Sequence, residues 1–293
     1  MTNNKIIVKL RGGLGNQMFQ YAVGRHLSQI TKAALKLDIT SLKNDPKRDY
    51  SLDCFNITEN FATDEEIKWF KKYQRKPGKI WFLRNRLLAD ETKYAQERQF
   101  HFDQKILQLK QPVYLDGYWQ TEKYFKDIEH IIRKEVIVKT PLQGENAEVA
   151  EEIVATTSVA MHIRRGDYVT NRETNEYHGT CGLDYYRKAI EIISKKVNNP
   201  HFFIFSDDHK WAKDNIVLEY PATYVEHNNA DKNYEDLRLM NLCKHQIIAN
   251  SSFSWWGAWL NPNKEKIVIA PKRWFQTPKM DTRDLLPDSW IRI

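Results

Sequence analysis

The spacing of apolar positions near the start of the chain predicts a strand, a turn and a helix in succession. Residues 5–10, KIIVKL, are a short β-prone run, and the glycine-rich stretch RGGLGNQ at 11–17 follows it. In residues 18–30 apolar side chains recur at helical spacing: Phe19, Ala22, Val23, Leu27 and Ile30. VYLDGYW at 113–119 is predicted to be a second strand that enters a turn.

From about residue 155 the pattern becomes regular. Apolar, β-prone runs occupy residues 158–163, 201–205, 223–226, 246–250 and 266–271. Helical spacing occupies residues 184–197, 236–245 and 254–260. Strands that alternate with helices are typical of βαβ units around a parallel sheet. The second half of the chain is therefore predicted to be a doubly wound α/β domain.

The remaining segments suggest where the domains divide. Residues 60–110 are charged and amphipathic, with aromatic side chains in IKWFKKY and KIWFLRNRLL, and are predicted to be helices under a basic surface. In KTPLQGENAE, 139–148, proline and glycine interrupt the apolar periodicity. We therefore predict an N-terminal α/β domain over residues 1–145 and a C-terminal Rossmann-like domain over residues 146–293.

Composition narrows the class of protein. The chain has 293 residues, of which 41% are hydrophobic and 28% charged, as in ordinary soluble globular proteins. No apolar run approaches the length of a membrane span, and the N-terminus lacks the features of a signal peptide, so a cytoplasmic location is expected. Cys54, Cys181 and Cys243 have no spacing typical of a disulfide framework or a zinc site.

The net charge of +7 indicates an anionic partner or a lysine-rich solvated surface. Nucleic acid, an anionic membrane surface and phosphorylated small molecules all fit the first interpretation. A choice between them depends on where the chemically unusual residues fall along the chain.

Two predicted turns carry residues suited to an anionic ligand, because ligands of parallel sheets bind at the carboxyl ends of strands. In RGGLGNQ, Gly13 and Gly15 would let the backbone approach a ligand at a helix N-terminus, although a plain tight turn explains them equally well. In HIRRGD, 162–167, two adjacent arginines offer planar forks for phosphate oxygens. Asp167 could orient one arginine, and a surface ion-pair cluster is the alternative.

Two further strand ends carry acidic and hydroxyl side chains. In FFIFSDD, 202–208, the acidic residues could contact a ribose or base or hold a divalent metal, or Ser206 or Asp207 could cap the next helix. In ANSSFSWWGAWL, 249–260, three serines precede a helix and could bind phosphate, or could simply cap it. Together the four turns describe a site for a nucleotide diphosphate held by arginine and serine rather than by a metal.

Five motifs, in order and spacing, resemble the bacterial α-1,2-fucosyltransferases of glycosyltransferase family 11. They are RGGLGNQMFQYAVGRHL, LDGYWQTEKYF, HIRRGDYV, FFIFSDD with Trp211, and NSSFSWWGAWL. The resemblance covers about residues 5–275, and residues 40–110 and the tail after 275 diverge.

This resemblance implies an α/β fold of the GT-B type, with two Rossmann-like domains facing across a cleft. Residues 1–145 would form the acceptor-side domain, and residues 146–293 the domain that binds GDP-fucose. It implies an inverting galactoside 2-α-L-fucosyltransferase that moves fucose from GDP-β-L-fucose to O2 of a terminal galactose. No cofactor and no divalent metal are expected. The product would belong to a surface polysaccharide such as O-antigen or to an oligosaccharide.

The resemblance also implies roles for individual residues. Arg164 would hold the β-phosphate, and Asn16 would lie beside the reacting centre. Arg165 and Asp167 would support Arg164, with Asp167 favoured as an orienting partner over a general base. The donor-binding residues would be His162, Arg165, Asp207, Ser251, Ser252, Ser254, Gly13 and Gly15, of which His162 and Asp207 would contact the guanosine.

Two alternatives are weighed against this interpretation. A related α-1,6 or protein O-fucosyltransferase shares part of the motif set. A basic nucleic-acid-binding module explains the net charge but not why arginine, serine and carboxylate groups collect at strand ends, so no nucleic acid partner is expected. Peripheral contact with the inner membrane surface stays open, the sequence does not identify the acceptor glycan, and it does not indicate the oligomeric state.

Overall fold

The computed structural model describes residues 4–75, 89–277 and 280–293. The chain divides into two compact units. The N-terminal unit comprises Met1–Ile137 and Asp281–Leu285, and the C-terminal unit comprises Val138–Met280 and Leu286–Ile293. The boundary between the units therefore lies at 137/138, before the expected division at 145/146. A short stretch of the tail, residues 281–285, belongs to the first unit.

The N-terminal unit is built around a parallel sheet of four described strands in the order β2-β1-β4-β3. The strands are β1 (Lys5–Lys9), β2 (Ala34–Asp38), β3 (Tyr94–Gln96) and β4 (Val113–Asp116). Its α-helices are α1 (Leu14–Thr31), α2 (Thr40–Lys43), α3 (Asp64–Lys71) and α4 (Glu129–Glu135). Short 3-10 helices cover Gln104–Gln108, Glu122–Tyr124 and Lys126–Ile128.

The C-terminal unit is a doubly wound domain with a parallel sheet of six described strands, in the order β10-β9-β8-β5-β6-β7. The strands are β5 (Thr157–Ile163), β6 (Pro200–Ser206), β7 (Ala222–Val225), β8 (His245–Ile247), β9 (Val268–Ala270) and β10 (Ile291–Arg292). The helices are α5 (Glu145–Ala155), α6 (Gly166–Thr170), α7 (Arg172–His178), α8 (Leu183–Ser194), α9 (His209–Asn215), α10 (Asn233–Leu242) and α11 (Ser252–Leu260). A 3-10 helix covers Ala230–Lys232.

The sheet of the C-terminal unit is buried on both faces. In β6, Phe202 and Ile204 join one apolar cluster, whereas Phe203 and Phe205 join another. Successive side chains of a strand point to opposite faces, so two separate clusters require an unbroken apolar run. This explains why FFIF has no polar alternation.

Several predicted elements are confirmed with shifted ends, and others were missed. Helix α1 begins at Leu14 instead of residue 18, because Gly13 is its extended N-cap residue. Strand β2 has lysine at its middle position, and β3 is a three-residue strand inside the segment predicted to be helical. Within residues 60–110, α3 confirms one predicted helix, and the part at 76–88 lies outside the described residues.

Within residues 4–75, 89–277 and 280–293, no helix combines the length and the apolar character needed to cross a bilayer.

Candidate active site

The strand order of the C-terminal sheet reverses between β5 and β8. Strands β6 and β7 follow β5 on one side, while β9 and β10 follow β8 on the other. Ligands of open α/β sheets bind outside the carboxyl ends of the strands at such a reversal, where the following loops diverge. The arginine pair follows β5 and the serine cluster follows β8, so both motifs lie at this position.

The register between β5 and β6 brings the arginine and aspartate motifs together. Ile163 pairs with Ser206 in the parallel ladder, so both strands end at the same level. The polar residues of HIRRGD and FFIFSDD therefore lie at one edge of the sheet, although the two motifs are far apart in sequence.

Arg164 is held between two carboxylates. Its Nη2 donates to Asp167 Oδ1 at 2.6 Å, and its Nη1 lies 2.7 Å from Asp207 Oδ2. The guanidinium carbon lies 5.2 Å from the ring centroid of Tyr168. Burial alone would lower the pKa of Arg164, but Asp207 and Asp167 outweigh it and raise that pKa above its ordinary value. The prediction that Asp167 pairs with one of the arginines is confirmed.

Arg165 is held by a different set of groups. Its Nε donates to Asp208 Oδ2 at 3.2 Å, and its guanidinium carbon lies 3.9 Å from the ring centroid of Trp211. Its backbone N–H donates to Asp207 Oδ1 at 2.7 Å. Each acidic residue after β6 thus pairs with one arginine side chain, and the expected support of Arg164 by Arg165 stays a prediction.

The acidic residues of FFIFSDD cap a helix and pair with arginines. The helix cap is Asp208, whose Oδ1 accepts from Trp211 N at 3.1 Å, and it is neither Ser206 nor Asp207. Both carboxylate oxygens of Asp207 contact the arginine pair, Oδ1 at Arg165 N and Oδ2 at Arg164 Nη1. Its contact with guanosine stays a prediction. Across the described residues, no three histidine, cysteine or acidic side chains cluster as metal ligands would.

Gly166 allows the arginine segment to approach Asp207. A Cβ atom at residue 166 would lie 2.4 Å from Asp207 Oδ2 and 3.1 Å from its Cγ. Such distances are below ordinary van der Waals contact, so a side chain here would displace the carboxylate that pairs with Arg164. The glycine of the RRGD motif therefore preserves an ion pair.

His162 is a buried, neutral histidine next to this cluster. It is 6% exposed, its ring lies 5.5 Å from that of Phe253, and its Nδ1 has no hydrogen-bond partner. Burial, followed by repulsion from Arg164, lowers the pKa of His162 to about 3. An unpaired buried nitrogen could accept or donate one bond to a ligand, and the predicted nucleoside contact remains a prediction.

The three serines of the motif after β8 differ in availability. Ser251 caps α11 by accepting from Phe253 N at 3.3 Å. Ser254 is fully buried, and its hydroxyl lies 3.2 Å from the carbonyl oxygens of Ala249 and Ser251. Ser254 therefore stabilises the start of the helix in this structure, whereas Ser252 is partly exposed at the first helical position. The three tryptophans of this helix are buried.

Asn250 was not singled out from the sequence, yet it joins three loops. Its Nδ2 donates to the carbonyl oxygens of His178, Gly179 and Trp274 at 3.0, 3.1 and 3.1 Å. It is 2% exposed, so these bonds are shielded from water. An asparagine directly before a serine cap is a weak signal, because the same dipeptide is common in ordinary turns.

An aromatic stack beside Arg164 was also missed. The rings of Tyr168 and His178 are stacked, with centroids 4.6 Å apart and an interplanar angle of 12°. Burial lowers the pKa of His178 to about 4, so this ring is neutral at physiological pH. Tyr168 therefore has the guanidinium of Arg164 as one neighbour and a neutral imidazole as another.

In the N-terminal unit, three glutamines organise the glycine-rich turn. Gln17 Nε2 donates to the carbonyl oxygens of Gly12 and Asp49 at 2.9 and 2.8 Å. Gln20 bonds both the N–H and the carbonyl of Arg11, at 2.9 and 3.2 Å. The third, Gln120, reaches the turn from the region after β4.

Asn16 is the residue that Gln120 contacts. Gln120 Nε2 donates to Asn16 Oδ1 at 2.6 Å. Gly12 has φ +76°, a left-handed conformation that favours glycine, and a Cβ atom there would lie 2.5 Å from Asn16 Nδ2. Gly13 and Gly15 flank the start of α1, so Asn16 belongs to the first turn of the helix instead of the preceding loop.

Comparison with known proteins identifies the family. The sequence profile described as Glycosyl transferase family 11 matches residues 2–293. The chain belongs to this family. The resemblance given by the five motifs is thereby confirmed over the length of the chain.

The names of similar proteins indicate that they transfer different sugars. The chain is 36% identical to the Escherichia coli Alpha-1,2-colitosyltransferase, over 98% of both proteins. It is 33% identical to the Escherichia coli O-antigen biosynthesis glycosyltransferase WbnK, over 97% of this chain and 99% of that one. It is 25% identical to human Galactoside alpha-(1,2)-fucosyltransferase 1, over 56% of this chain and 48% of that one.

Solved fucosyltransferases share the fold at low identity. NodZ α-1,6-fucosyltransferase soaked with GDP-fucose gives a TM-score of 0.52 at 15% identity, covering 89% of this chain and 94% of that one. A mutant of Arabidopsis thaliana FUT1 in complex with GDP gives 0.53 at 12% identity, covering 90% and 70%. The likeness confirms the GT-B class that was predicted.

Replacing Gly166 tests the Arg164–Asp207 ion pair. For the GDP complex that the sequence resemblance predicts, we expect Gly166→Ala to weaken binding at least about tenfold, the effect of losing one hydrogen bond to a charged group. Isothermal titration with GDP measures it. Gly182→Ala is the matched control, because beyond its chain neighbours no atom lies within 4 Å of a Cβ at that position. Equal GDP affinities for the two variants would contradict this role of Gly166.

The lowered pKa of His162 predicts an acid-sensitive stability. The unfolded chain binds a proton on this histidine near pH 6.5, whereas the folded chain does not until about pH 3. The free energy of unfolding should therefore fall as the pH falls through this window. Between about pH 7.5 and about pH 5.5, His162 alone should lower it by about 1 kcal/mol. Denaturant unfolding of wild type and His162→Gln at both pH values measures the difference. An identical pH dependence in the two proteins would show that His162 is not the cause.

Proposed function

We propose that this family 11 glycosyltransferase moves L-fucose from GDP-β-L-fucose to O2 of a terminal galactose, with inversion, in a surface polysaccharide or oligosaccharide. The observation that carries the proposal is the placement of Arg164 at the carboxyl end of β5, with its plane held by Asp167 and Asp207. Each Nη of a guanidinium carries two hydrogens. One hydrogen on each nitrogen is therefore left for a phosphate oxygen of the donor.

The chemistry needs positive charge near the leaving group. The bond between C1 of fucose and the β-phosphate oxygen breaks and its electron pair stays on GDP, while acceptor O2 bonds to the opposite face of C1 and passes its proton to solvent. Negative charge then develops on GDP, and a preorganised guanidinium stabilises it more in the transition state than in the ground state. In this proposal Asp167 and Asp207 orient Arg164, and no divalent metal is needed.

The donor sugar has a second candidate. The name of the 36% identical relative, Alpha-1,2-colitosyltransferase, favours a colitosyl donor. Colitose is fucose without the hydroxyl at carbon 3. A site that hydrogen-bonds this hydroxyl would discriminate strongly against the deoxy sugar, whereas a site that merely accommodates it would not. The two donors can thus be separated by their kcat/KM values.

A transfer assay tests the function directly. The full chain is incubated with GDP-fucose or the colitosyl nucleotide and a panel of β-galactosides, and NMR reads the product linkage. We expect an α-1,2-linked fucosyl galactoside, with the higher kcat/KM for GDP-fucose. Transfer of colitose alone, or fucosylation at another galactose carbon, would refute the proposed donor or linkage.

The same assay with excess EDTA tests the metal independence. Turnover should be unchanged, because the stabilising charge belongs to the protein. Loss of turnover that is restored by Mg²⁺ or Mn²⁺ would instead assign a metal to the reaction.

Arg164 variants test the proposed source of catalysis. Arg164→Ala should lower kcat at least about 10²-fold, as expected for removal of a main electrostatic contact. Arg164→Lys should also be largely inactive, because an ammonium cannot replace the planar fork. Arg187→Ala is the matched control, since that arginine is 71% exposed and pairs only weakly with exposed Asp184. Near-normal turnover by correctly folded Arg164→Ala would defeat the assignment.

A further inference from the structure

The two carboxylates beside Arg164 restrain its guanidinium through the terminal nitrogens. Nη2 donates to Asp167 Oδ1 at 2.6 Å, and Nη1 lies 2.7 Å from Asp207 Oδ2. The N–H groups of a guanidinium lie in its plane, so contacts of this kind fix the group along the line that joins them. The guanidinium can still tilt about that line, and a further contact is needed to oppose the tilt.

Tyr168 lies against the same guanidinium. The guanidinium carbon of Arg164 lies over the Tyr168 ring, 5.2 Å from its centroid and within the range of a cation–π contact. Tyr168 belongs to α6, which begins two residues after Arg164, so a short helix brings the ring back to the arginine. A cation is attracted to an aromatic face, and the attraction falls when the cation moves off that face. The ring therefore opposes a tilt that would carry the guanidinium away.

The Tyr168 ring is itself held mainly by His178. The two rings are stacked, with centroids 4.6 Å apart and an interplanar angle of 12°. By contrast, the Tyr168 hydroxyl reaches the carbonyl oxygen of Asn250 only at 3.4 Å, longer than an ordinary O–H···O bond. Burial lowers the pKa of His178 to about 4, so the stacked ring adds no positive charge beside Arg164 near neutral pH.

Asn250 holds the segment that carries His178. Its Nδ2 donates to the carbonyl oxygen of His178 at 3.0 Å, and the residue is 2% exposed. Asn250 follows β8, so this bond joins the segment after β5 to the segment after β8, across the reversal of strand order. The His178 ring also lies 5.4 Å from the ring of Phe275. The position of the histidine is thus determined by residues that are distant in sequence from Arg164.

We propose that Tyr168 and His178 are positioning residues for Arg164. The Tyr168 ring keeps the guanidinium in place, and the His178 ring, held through Asn250, keeps the Tyr168 ring in place. The inference rests on the proposed function, because there Arg164 stabilises the charge that develops on GDP. Such stabilisation depends on donors that are already oriented toward that charge, so a tilted guanidinium would lose part of it.

A double-mutant cycle on kcat tests whether Tyr168 acts through Arg164. Tyr168→Leu keeps an apolar side chain but removes the aromatic face. We expect it to lower kcat for fucose transfer to methyl β-D-galactoside about tenfold, the size of a partly desolvated cation–π contact, with the galactoside KM unchanged. In an Arg164→Ala background the same change should have no further effect, because the group on which it acts is absent. Tyr168→Phe should keep wild-type kcat, since the ring face is retained.

Tyr224→Leu is the matched control. Tyr224 is half-buried in β7 of the same unit, and Lys213 Nζ lies 5.8 Å from its ring centroid. This variant should keep wild-type kcat, because its cation is not Arg164.

His178 provides a second pair of variants if Tyr168→Leu perturbs folding. Among the described residues, His178 Nδ1 has no hydrogen-bond partner, so the stack depends on the ring and not on this nitrogen. His178→Ala should therefore lower kcat several-fold, and His178→Phe should restore it. Equal kcat values for the two His178 variants would show that the stack does not position Arg164.

Arginine NMR separates this inference from the proposed function. In the full chain, without donor or acceptor, isotope-labelled arginine reports the rate at which the Arg164 guanidinium rotates about its Nε–Cζ bond, and Arg164→Lys identifies the signal by its loss. Tyr168→Leu should raise this rate about tenfold, whereas Tyr168→Phe should not.

Three results would overturn the inference. They are an unchanged rotation rate in Tyr168→Leu, an equal loss of kcat in the wild-type and Arg164→Ala backgrounds, and a Tyr168→Phe variant as impaired as Tyr168→Leu. A protein in which Tyr168→Leu raises the rotation rate, but which transfers no fucose, would refute the proposed function and leave the positioning role standing.

Discussion

The double ion pair of Arg164 with Asp167 and Asp207 depends on one geometric constraint, the register between β5 and β6. With Ile163 opposite Ser206, the first residues beyond both strands emerge side by side. A shift of one residue along this ladder would separate the guanidinium from Asp207 and turn every side chain of β6 to the opposite face. The apolar clusters on both faces of the sheet resist such a shift. Core packing thus determines the orientation of a charged group at the surface.

The two units present different chemistry at equivalent places in their sheets. At the carboxyl end of β5 the groups are charged, and a guanidinium held by carboxylates suits a diphosphate. At the carboxyl ends of β1 and β4, the bond between Asn16 and Gln120 joins neutral amides beside the ion pair of Arg11 and Asp116. This difference fits the proposed reaction, in which a nucleotide sugar and a neutral sugar acceptor must both be held. The fold supplies the positions, and the residues that follow the strands supply the selectivity.

Motif residues were easier to predict than the residues that hold them. The arginine pair stands out because two adjacent guanidiniums after an apolar strand have no place in a core. Asn250 and Gln120 gave little signal, since amide side chains are common in turns and their partners are distant in sequence. Ser254 was predicted from its place at a helix start, and no local pattern indicated that its hydroxyl is buried against the carbonyl groups of Ala249 and Ser251.

The sequence alone determined the α/β class, the parallel sheet of the second half and the motifs of family 11, because apolar periodicity and residue type are local properties. It could not determine that Asp208 instead of Asp207 caps α9, or that β2 and β3 belong to the first sheet. Those features depend on strand register and on contacts between distant segments, which no local pattern encodes. Only the tertiary structure decided which carboxylate meets which arginine, because that choice is made by where each strand ends relative to its neighbour.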